Sequence, residues 1–165
     1  GAYRSIGINR NDFMSLIQMR PEGGAAFGTL EWVAYASNAF NTMVPFYADV
    51  DEIPEYLANT TGEVSTENFY WTSRMIAAMA DASYGKSLFH VEHYQENVLA
   101  KSHALINQYD ALLADEKDPE KQMELKRKAN RKVAEMVQKE ASATLKKVLY
   151  ELSNQMKNSY ARSDV

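Results

Sequence analysis

The side chain best suited to chemistry in this sequence is Arg74, in the segment ENFYWTSRMIAAMAD (residues 67–81). At helical spacing, apolar residues occupy almost every side of this segment, which predicts a helix buried between two layers. A buried guanidinium is tolerated only with acceptors around it, and Tyr70 and Asp81 lie roughly on its side of the helix. Two roles follow for Arg74: a structural ion pair that fixes the helix against a sheet, or a group that faces a substrate cleft.

A second group of polar side chains lies in HVEHYQE, where His90, Glu92, His93 and Glu96 fall within two helical turns. His90, His93 and Glu96 converge on one helical face. Zinc sites usually need further ligands from elsewhere, and the sequence has no HExxH pattern. The sequence also lacks cysteine, which excludes a zinc–thiolate site and a cysteine nucleophile within it. We therefore expect a polar helix face here, and neither a metal nor a cofactor.

The densest basic cluster comprises Lys126, Arg127, Lys128, Arg131 and Lys132. Glu120, Glu124 and Glu135 lie within helical reach of it, so pairing on the helix surface is the expected role. The net charge of −4 also argues against phosphate binding. No apolar run approaches the roughly 20 residues that cross a bilayer, and no signal-peptide pattern opens the sequence. We expect that neither nucleic acid nor a membrane is a partner. We expect a cytoplasmic location.

The elements that must position these groups begin with short β-like runs, at residues 4–9, 13–20, 28–35 and 41–47. Arg10-Asn11-Asp12 favours a turn, so the first two runs predict a hairpin. Pro45 cannot donate to a strand ladder, so the last run is an edge strand or ends there.

Short helical signals follow the strands. Asp51 is expected to cap a short helix that runs through Leu57. Ser65 or Thr66 is expected to cap the helix that contains Arg74. Gly85 can adopt the left-handed conformation that closes it.

From residue 87 onward the apolar period becomes helical, with one face formed by Val91, Tyr94, Val98, Leu105, Tyr109 and Leu112. Asp118-Pro119-Glu120 has the cap, first-turn proline and acidic residue of a helix start. A second apolar stripe comprises Val133, Val137, Ala141, Leu145, Val148, Leu152 and Met156. We predict a long antiparallel helical hairpin of about 26 and about 40 residues, with a second arm on the order of 60 Å.

The composition changes near residue 85. Residues 1–85 hold four arginines, no lysine and ten acidic residues, a net charge of −6, whereas residues 86–165 hold 14 basic and 12 acidic residues, a net charge of +2. We expect an α+β chain in two parts: residues 1–85 form antiparallel strands with a covering helix, and residues 86–165 form the hairpin. The length suffices to bury a sizeable core.

Residues 43–85, MVPFYADVDEIPEYLANTTGEVSTENFYWTSRMIAAMADASYG, resemble the dipeptidase A family of cysteine-type, N-terminal-nucleophile dipeptidases. In that family a VPFY strand is followed by PEY and then by an aromatic-rich helix. Residues 4–21, RSIGINRNDFMSLIQMRP, are similar to a hairpin of the same family. The resemblance covers about half of the chain, and the C-terminal helical region matches in position and character more than in motif.

The resemblance implies a four-layer αββα sandwich that hydrolyses dipeptides through an N-terminal cysteine. In such enzymes the free α-amine of the same residue accepts the thiol proton. This sequence has no cysteine and is much shorter than such an enzyme. We therefore expect the C-terminal portion of a dipeptidase, inactive alone, whose partner is the upstream part of the same polypeptide.

The sequence departs from the family pattern at Ser5, Asp12 and Ser15 and in residues 35–40, so no catalytic residue is carried over. Asn38 or Asn41 can supply an amide that stabilises an oxyanion in the intact enzyme. The alternative for both is a turn-forming role.

A hypothesis of a different class is a non-catalytic helical-hairpin module for interaction or oligomerisation, built on a small sheet. In either case, a sheet face or edge left without its partner invites association. We expect a homo-oligomer.

Overall fold

The computed structural model describes residues 11–58 and 60–157, apart from the side chain of Ala25. Its strands are β1 (Phe13–Gln18), β2 (Leu30–Tyr35) and β3 (Val44–Tyr47). Its helices are α1 (Gly24–Phe27), α2 (Phe69–Ala82), α3 (Tyr84–Asp115) and α4 (Pro119–Ser153), with 3-10 turns at Pro21–Gly23 and Glu55–Leu57. The predicted α+β class is confirmed. The predicted strand at residues 4–9 lies outside the described residues.

The three described strands form one antiparallel sheet in the order β1-β2-β3. Phe13 lies opposite Tyr35 across the first pair, and Trp32 lies opposite Pro45 across the second. Within the described residues β3 pairs with β2 alone, which confirms the edge position predicted from Pro45.

A side chain of α4 takes the place of a further strand beside β3. Asn130 is 2% exposed. Its Oδ1 accepts from the backbone N–H of Tyr47 at 2.9 Å, and its Nδ2 donates to the Tyr47 carbonyl at 3.0 Å. The amide group thus satisfies both backbone groups of one edge residue, as a neighbouring strand would.

The predicted short helix from Asp51 through Leu57 is wrong, since only Glu55–Leu57 forms a turn, of the 3-10 type. The residue before a proline avoids the α conformation, so Pro54 prevents a helix from running through Ile53. Asp51 instead binds Arg127 on α4, with bonds of 2.7 and 2.8 Å to Nε and Nη2.

The predicted boundaries of α2 also need correction. Asn68, rather than Ser65 or Thr66, caps the helix by accepting from the Trp71 N–H at 3.3 Å. Gly85 lies inside α3, and Ser83, with φ −126° and ψ 34°, separates α2 from α3. The hydroxyl of Ser83 donates to the Met79 carbonyl at 2.8 Å and satisfies one acceptor of the last turn.

Burial of α2 is one-sided. The buried face comprises Phe69, Thr72, Ser73, Ile76, Ala77 and Ala80. Trp71 and Met75 are half-buried, and Arg74 and Ala78 are exposed. Thus the helix is less completely covered than its composition suggested, and one side remains open within the described residues.

The long helical hairpin is confirmed, but its arms have 32 and 35 residues rather than the predicted lengths of about 26 and about 40. The Asp118 carboxylate accepts from the Glu120 N–H at 3.0 Å, and Pro119 is the first residue of α4. Contacts of α3 residues with α4 residues, His90 with Glu151 at 3.3 Å and Lys101 with Glu140 at 2.5 Å, show that the arms are antiparallel. The 35 residues of α4 extend about 52 Å.

The buried face of α3 is shifted from the predicted one. Beyond Val98 it continues through Ser102, Ile106, Tyr109 and Leu113. Leu112 is 46% exposed, contrary to the prediction, whereas Leu105 is half-buried and packs against both core clusters. Ser102 is fully buried, but because serine is polar, a pattern of apolar residues does not include it. The sequence therefore does not show that the buried face continues through Ser102 to Ile106.

In α4, Val133, Val137, Ala141 and Val148 are buried as predicted, whereas Met156 lies beyond the helix and is exposed.

The core forms two clusters. The larger one joins the β2 and β3 region to α2, α3 and α4, with Val44, Phe69, Ile76, Val98 and Val137 among its members. The smaller one comprises Leu30, Tyr47, Ile106, Tyr109, Leu113 and Ala129. Both clusters contain residues from each side of residue 85.

A polar network beside the smaller cluster connects the end of β1 to α3. Arg20 pairs with Asp110 at 2.6 Å, and the Tyr47 hydroxyl donates to the same carboxylate at 2.7 Å. The guanidinium also lies over the Phe27 and Tyr47 rings. Burial raises the pKa of Tyr47, and the hydrogen bond to Asp110 adds to this, so Tyr47 stays protonated.

Candidate functional site

A cavity of about 520 Å³ opens on the exposed side of α2. The residues just before β1, the loop after β2 and two turns of α2 surround it. Its wall includes Asp12, Ser37, Phe40, Arg74, Ala78 and Asp81. Ligand sites commonly have volumes of about 300–1,000 Å³ and a few converging polar groups. The cavity is therefore the candidate site.

The helical period determines what α2 presents to this cavity. Arg74, Ala77, Ala78 and Asp81 are three or four residues apart, so they share one side of the helix. The two alanines leave open space between the charged residues. The Asn68 cap fixes where the helix begins and so the direction in which Arg74 points.

Arg74 binds Asp12, not the Asp81 partner suggested by the sequence. Its Nη1 donates to Asp12 Oδ1 at 2.7 Å and to the Tyr70 hydroxyl oxygen at 3.1 Å. The Tyr70 hydroxyl donates to the other Asp12 oxygen at 2.9 Å. The guanidinium lies 5.6 Å from the Tyr70 ring centroid and 5.8 Å from that of Trp71. These contacts hold the arginine in one orientation at the cavity wall.

The electrostatic environment keeps Arg74 charged. The hydrogen bond with Tyr70, followed by the charge of Asp12, raises the pKa of Arg74. The side chains of Arg74 and Asp12 are 44% and 52% exposed, so solvent screens their attraction. Exposed pairs of this kind stabilise a fold by about 0–1 kcal/mol. Arg74 thus makes an ion pair and also lines the cavity, and its role in a substrate cleft stays a prediction.

Asp81 is the charged wall residue that the sequence analysis treated only as a partner for Arg74. It is exposed and makes no hydrogen bond or ion pair within the described part of the chain. Its distance of two helical turns from Arg74 is the signal that could have placed it in the site. The role of Asp12 has no such local signal, because it depends on the residues just before β1 lying beside α2.

The loop after β2 forms the opposite wall. Ala36 has a φ of +67°, a left-handed conformation that costs an alanine roughly 1–2 kcal/mol. The Asn41 amide donates to the Ala36 carbonyl at 3.0 Å and lies 3.5 Å from Asn38 Oδ1. Backbone N–H groups of Phe40 and Asn41 both bond the Ser37 carbonyl. The structure thus places Asn41, which is buried, inside the loop, where its side chain holds the turn.

His90 and His93, which the sequence placed on one helical face, make separate contacts. His90 Nε2 lies 3.3 Å from Glu151, and His93 packs on Phe89 with ring centroids 5.0 Å apart. No group of three or more potential ligands that could hold a metal occurs in residues 11–58 and 60–157. In the same part of the chain, none of the helices has the length and apolar content needed to cross a membrane.

The basic cluster on α4 forms ion pairs, as expected, but several partners come from the loop after β3. Lys126 pairs with Asp49 at 2.5 Å, and Arg131 pairs with Glu52 at 2.9 Å. Glu124 pairs with Arg127 and Arg131, and Glu135 pairs with Lys132. These contacts connect the loop to α4 and pair the members of the cluster except Lys128. Within the described residues Glu120, which was also expected to pair, forms no ion pair.

Comparison with known proteins gives the family. The model of the family described as Peptidase family C69 matches residues 1–97. These residues include the sheet, α2 and every wall of the cavity. A probable dipeptidase A of Streptococcus pyogenes serotype M18 (strain MGAS8232) is 42% identical over 164 residues, which cover 98% of this chain and 33% of that protein. A dipeptidase of Bifidobacterium longum (strain NCC 2705) is 34% identical over 200 residues, covering 98% of this chain and 37% of that protein.

A dipeptidase A of Lactobacillus helveticus is 30% identical over 108 residues, covering 66% of this chain and 23% of that protein. The chain thus spans about a third of the length of the streptococcal relative. The resemblance inferred from residues 4–21 and 43–85 is confirmed, and the chain belongs to peptidase family C69.

Proposed function

We propose that these 165 residues are the C-terminal part of a dipeptidase that hydrolyses dipeptides. One observation carries the proposal: the family match over residues 1–97 is joined by relatives named dipeptidases that align with 98% of the chain. The substrate in the intact enzyme is a dipeptide, and no cofactor takes part.

The nucleophile in this proposal is an N-terminal cysteine of the upstream chain. Its own α-amine accepts the thiol proton, and the thiolate attacks the peptide carbonyl. The C–N bond breaks, the second amino acid leaves with that proton, and water hydrolyses the thioester to release the first amino acid. This sequence contains no cysteine. The 165 residues alone are therefore inactive.

The exposure of β1 supports an upstream partner. Phe13, Leu16, Ile17 and Met19 are between 52% and 79% exposed. Because side chains alternate along a strand, Leu16 and Ile17 point to opposite faces of the sheet. A strand with apolar residues open on both faces usually has a covering partner. We assign that role to the upstream part of the polypeptide.

Among the three candidate site residues, Arg74 is proposed to bind substrate, because it faces the cavity. Asn38 and Asn41 are proposed to hold the loop that forms the opposite wall. Residues 1–85 then belong to the hydrolase sandwich and residues 86–165 form a hairpin beside it. A cytoplasmic location completes the proposal, and cell fractionation tests it.

Expression of the full reading frame tests the function. The purified enzyme should release amino acids from dipeptides, and replacement of the cysteine that becomes N-terminal by alanine should abolish this. The separate 165-residue chain should show no hydrolysis. An upstream frame without such a cysteine, or one that begins near Tyr3, would refute the enzyme proposal.

The second candidate function is a helical-hairpin module for interaction or oligomerisation. It is favoured by exposed apolar side chains on the two long helices, with Phe89 and Tyr150 each 64% exposed and Leu149 48% exposed. We propose that the separate chain forms a homo-oligomer. Light scattering at high concentration measures its mass, and a monomer would contradict this.

A further inference from the structure

We propose that the cavity beside α2 binds both termini of a dipeptide, with Arg74 pairing with the α-carboxylate and Asp81 with the α-ammonium group. The inference rests on the proposed dipeptidase function and assigns the substrate's position within it. A free dipeptide carries these two opposite charges at its ends. The cavity wall carries Arg74 and Asp81 as complementary charges, together with Asp12, which is paired with Arg74.

The two charged residues lie at separate points of the same wall. Arg74 and Asp81 are seven residues apart on α2, which corresponds to a rise of about 10.5 Å between their Cα atoms. A ligand that contacts both side chains must therefore carry opposite charges at its two ends.

Both residues retain capacity for a ligand. Arg74 uses only Nη1 in its bonds to Asp12 and Tyr70 within the described chain, so Nε and Nη2 remain as donors. This pair of N–H groups can bind a carboxylate in the bidentate geometry that arginine favours. Asp81 has no partner within the described residues, and its carboxylate can accept from an ammonium group.

The surface between the charges accommodates a peptide backbone. Ala77 and Ala78 lie between Arg74 and Asp81, and their methyl groups leave the space open. Phe40 contributes an apolar wall on the loop side. Asp12 and Tyr70 hold the guanidinium in place before a ligand arrives, which lowers the ordering cost of binding.

The test uses the full-length enzyme and three substrates: a dipeptide, its N-acetyl derivative and its C-terminal amide. Asp81→Asn should lower kcat/KM for the free dipeptide by roughly 10- to 100-fold, the range of a hydrogen bond to a charged group. Activity on the N-acetyl derivative should stay unchanged, so that the preference for a free amine is lost. Arg74→Gln should remove the preference for a free carboxylate in the same way.

Asp115→Asn is the matched control, because Asp115 is exposed at the end of α3 and away from the cavity. It should leave all three rates unchanged. Unfolding curves of the variants check that each one folds. An active enzyme whose two preferences survive both substitutions would overturn the subsite alone. A wild-type enzyme that hydrolyses no dipeptide would overturn the proposed function and the subsite with it.

Discussion

Asn130 should be among the polar residues on which the fold most depends, because it replaces a strand at the edge of the sheet. Asn130→Ala removes one donor and one acceptor and leaves the N–H and carbonyl of Tyr47 buried without them. An unsatisfied buried polar group costs about 1–3 kcal/mol. Tyr47 is 1% exposed, so water does not reach the two groups without rearrangement.

Taking the lower part of that range for each group, we expect the free energy of unfolding to fall by about 2–4 kcal/mol. Urea denaturation followed by circular dichroism measures it, with an unchanged dependence on denaturant concentration. Lys128→Ala, at an exposed position of the same helix, is the control and should change stability by less than about 0.5 kcal/mol. A loss of the same small size for Asn130→Ala would refute the edge-strand role.

Two further predictions concern titrating groups. The hydrogen bond from Arg127 lowers the pKa of Asp51 below its ordinary value of 3.8. The stability that the charged Asp51 adds to the fold is therefore complete above pH 3.8 and is lost as the pH falls further. Asp51→Asn should therefore flatten the stability curve below pH 3.8, measured by denaturation in acid; an unchanged curve would contradict the pairing. Burial raises the pKa of Tyr94, so the folded chain keeps its hydroxyl neutral. The stability of the fold that depends on this neutral hydroxyl is present below pH 10.0 and is lost as the pH rises above it. Tyr94 Oη makes no hydrogen bond within the described chain. Tyr94→Phe should therefore leave the free energy of unfolding at neutral pH unchanged or raise it by up to about 1 kcal/mol, and it should reduce unfolding in alkali. A clear loss of stability at neutral pH would contradict the absence of a partner.

Local features of the sequence predicted several elements correctly. Asp118 and Pro119 specify the start of α4 through groups no more than a few residues apart, so no distant contact is needed. The same holds for the missing donor at Pro45, which predicted an edge strand. Where two caps compete, as Ser65 and Asn68 do, the choice depends on neighbours: Asn68 also donates to the Ala58 carbonyl at 3.1 Å.

The sequence by itself determined the α+β order, the helical hairpin, the family and the choice of Arg74 as a candidate. Only the tertiary structure decided what Arg74 contacts, since Asp12 lies 62 residues away and reaches it because the residues before β1 lie beside α2. The contact of Asn130 with Tyr47 spans 83 residues in the same way. Helix-capping residues and the spacing of apolar residues specify structure within one or two helical turns. The contacts of Arg74 and Asn130 arise only when the chain buries its apolar faces and brings distant elements together.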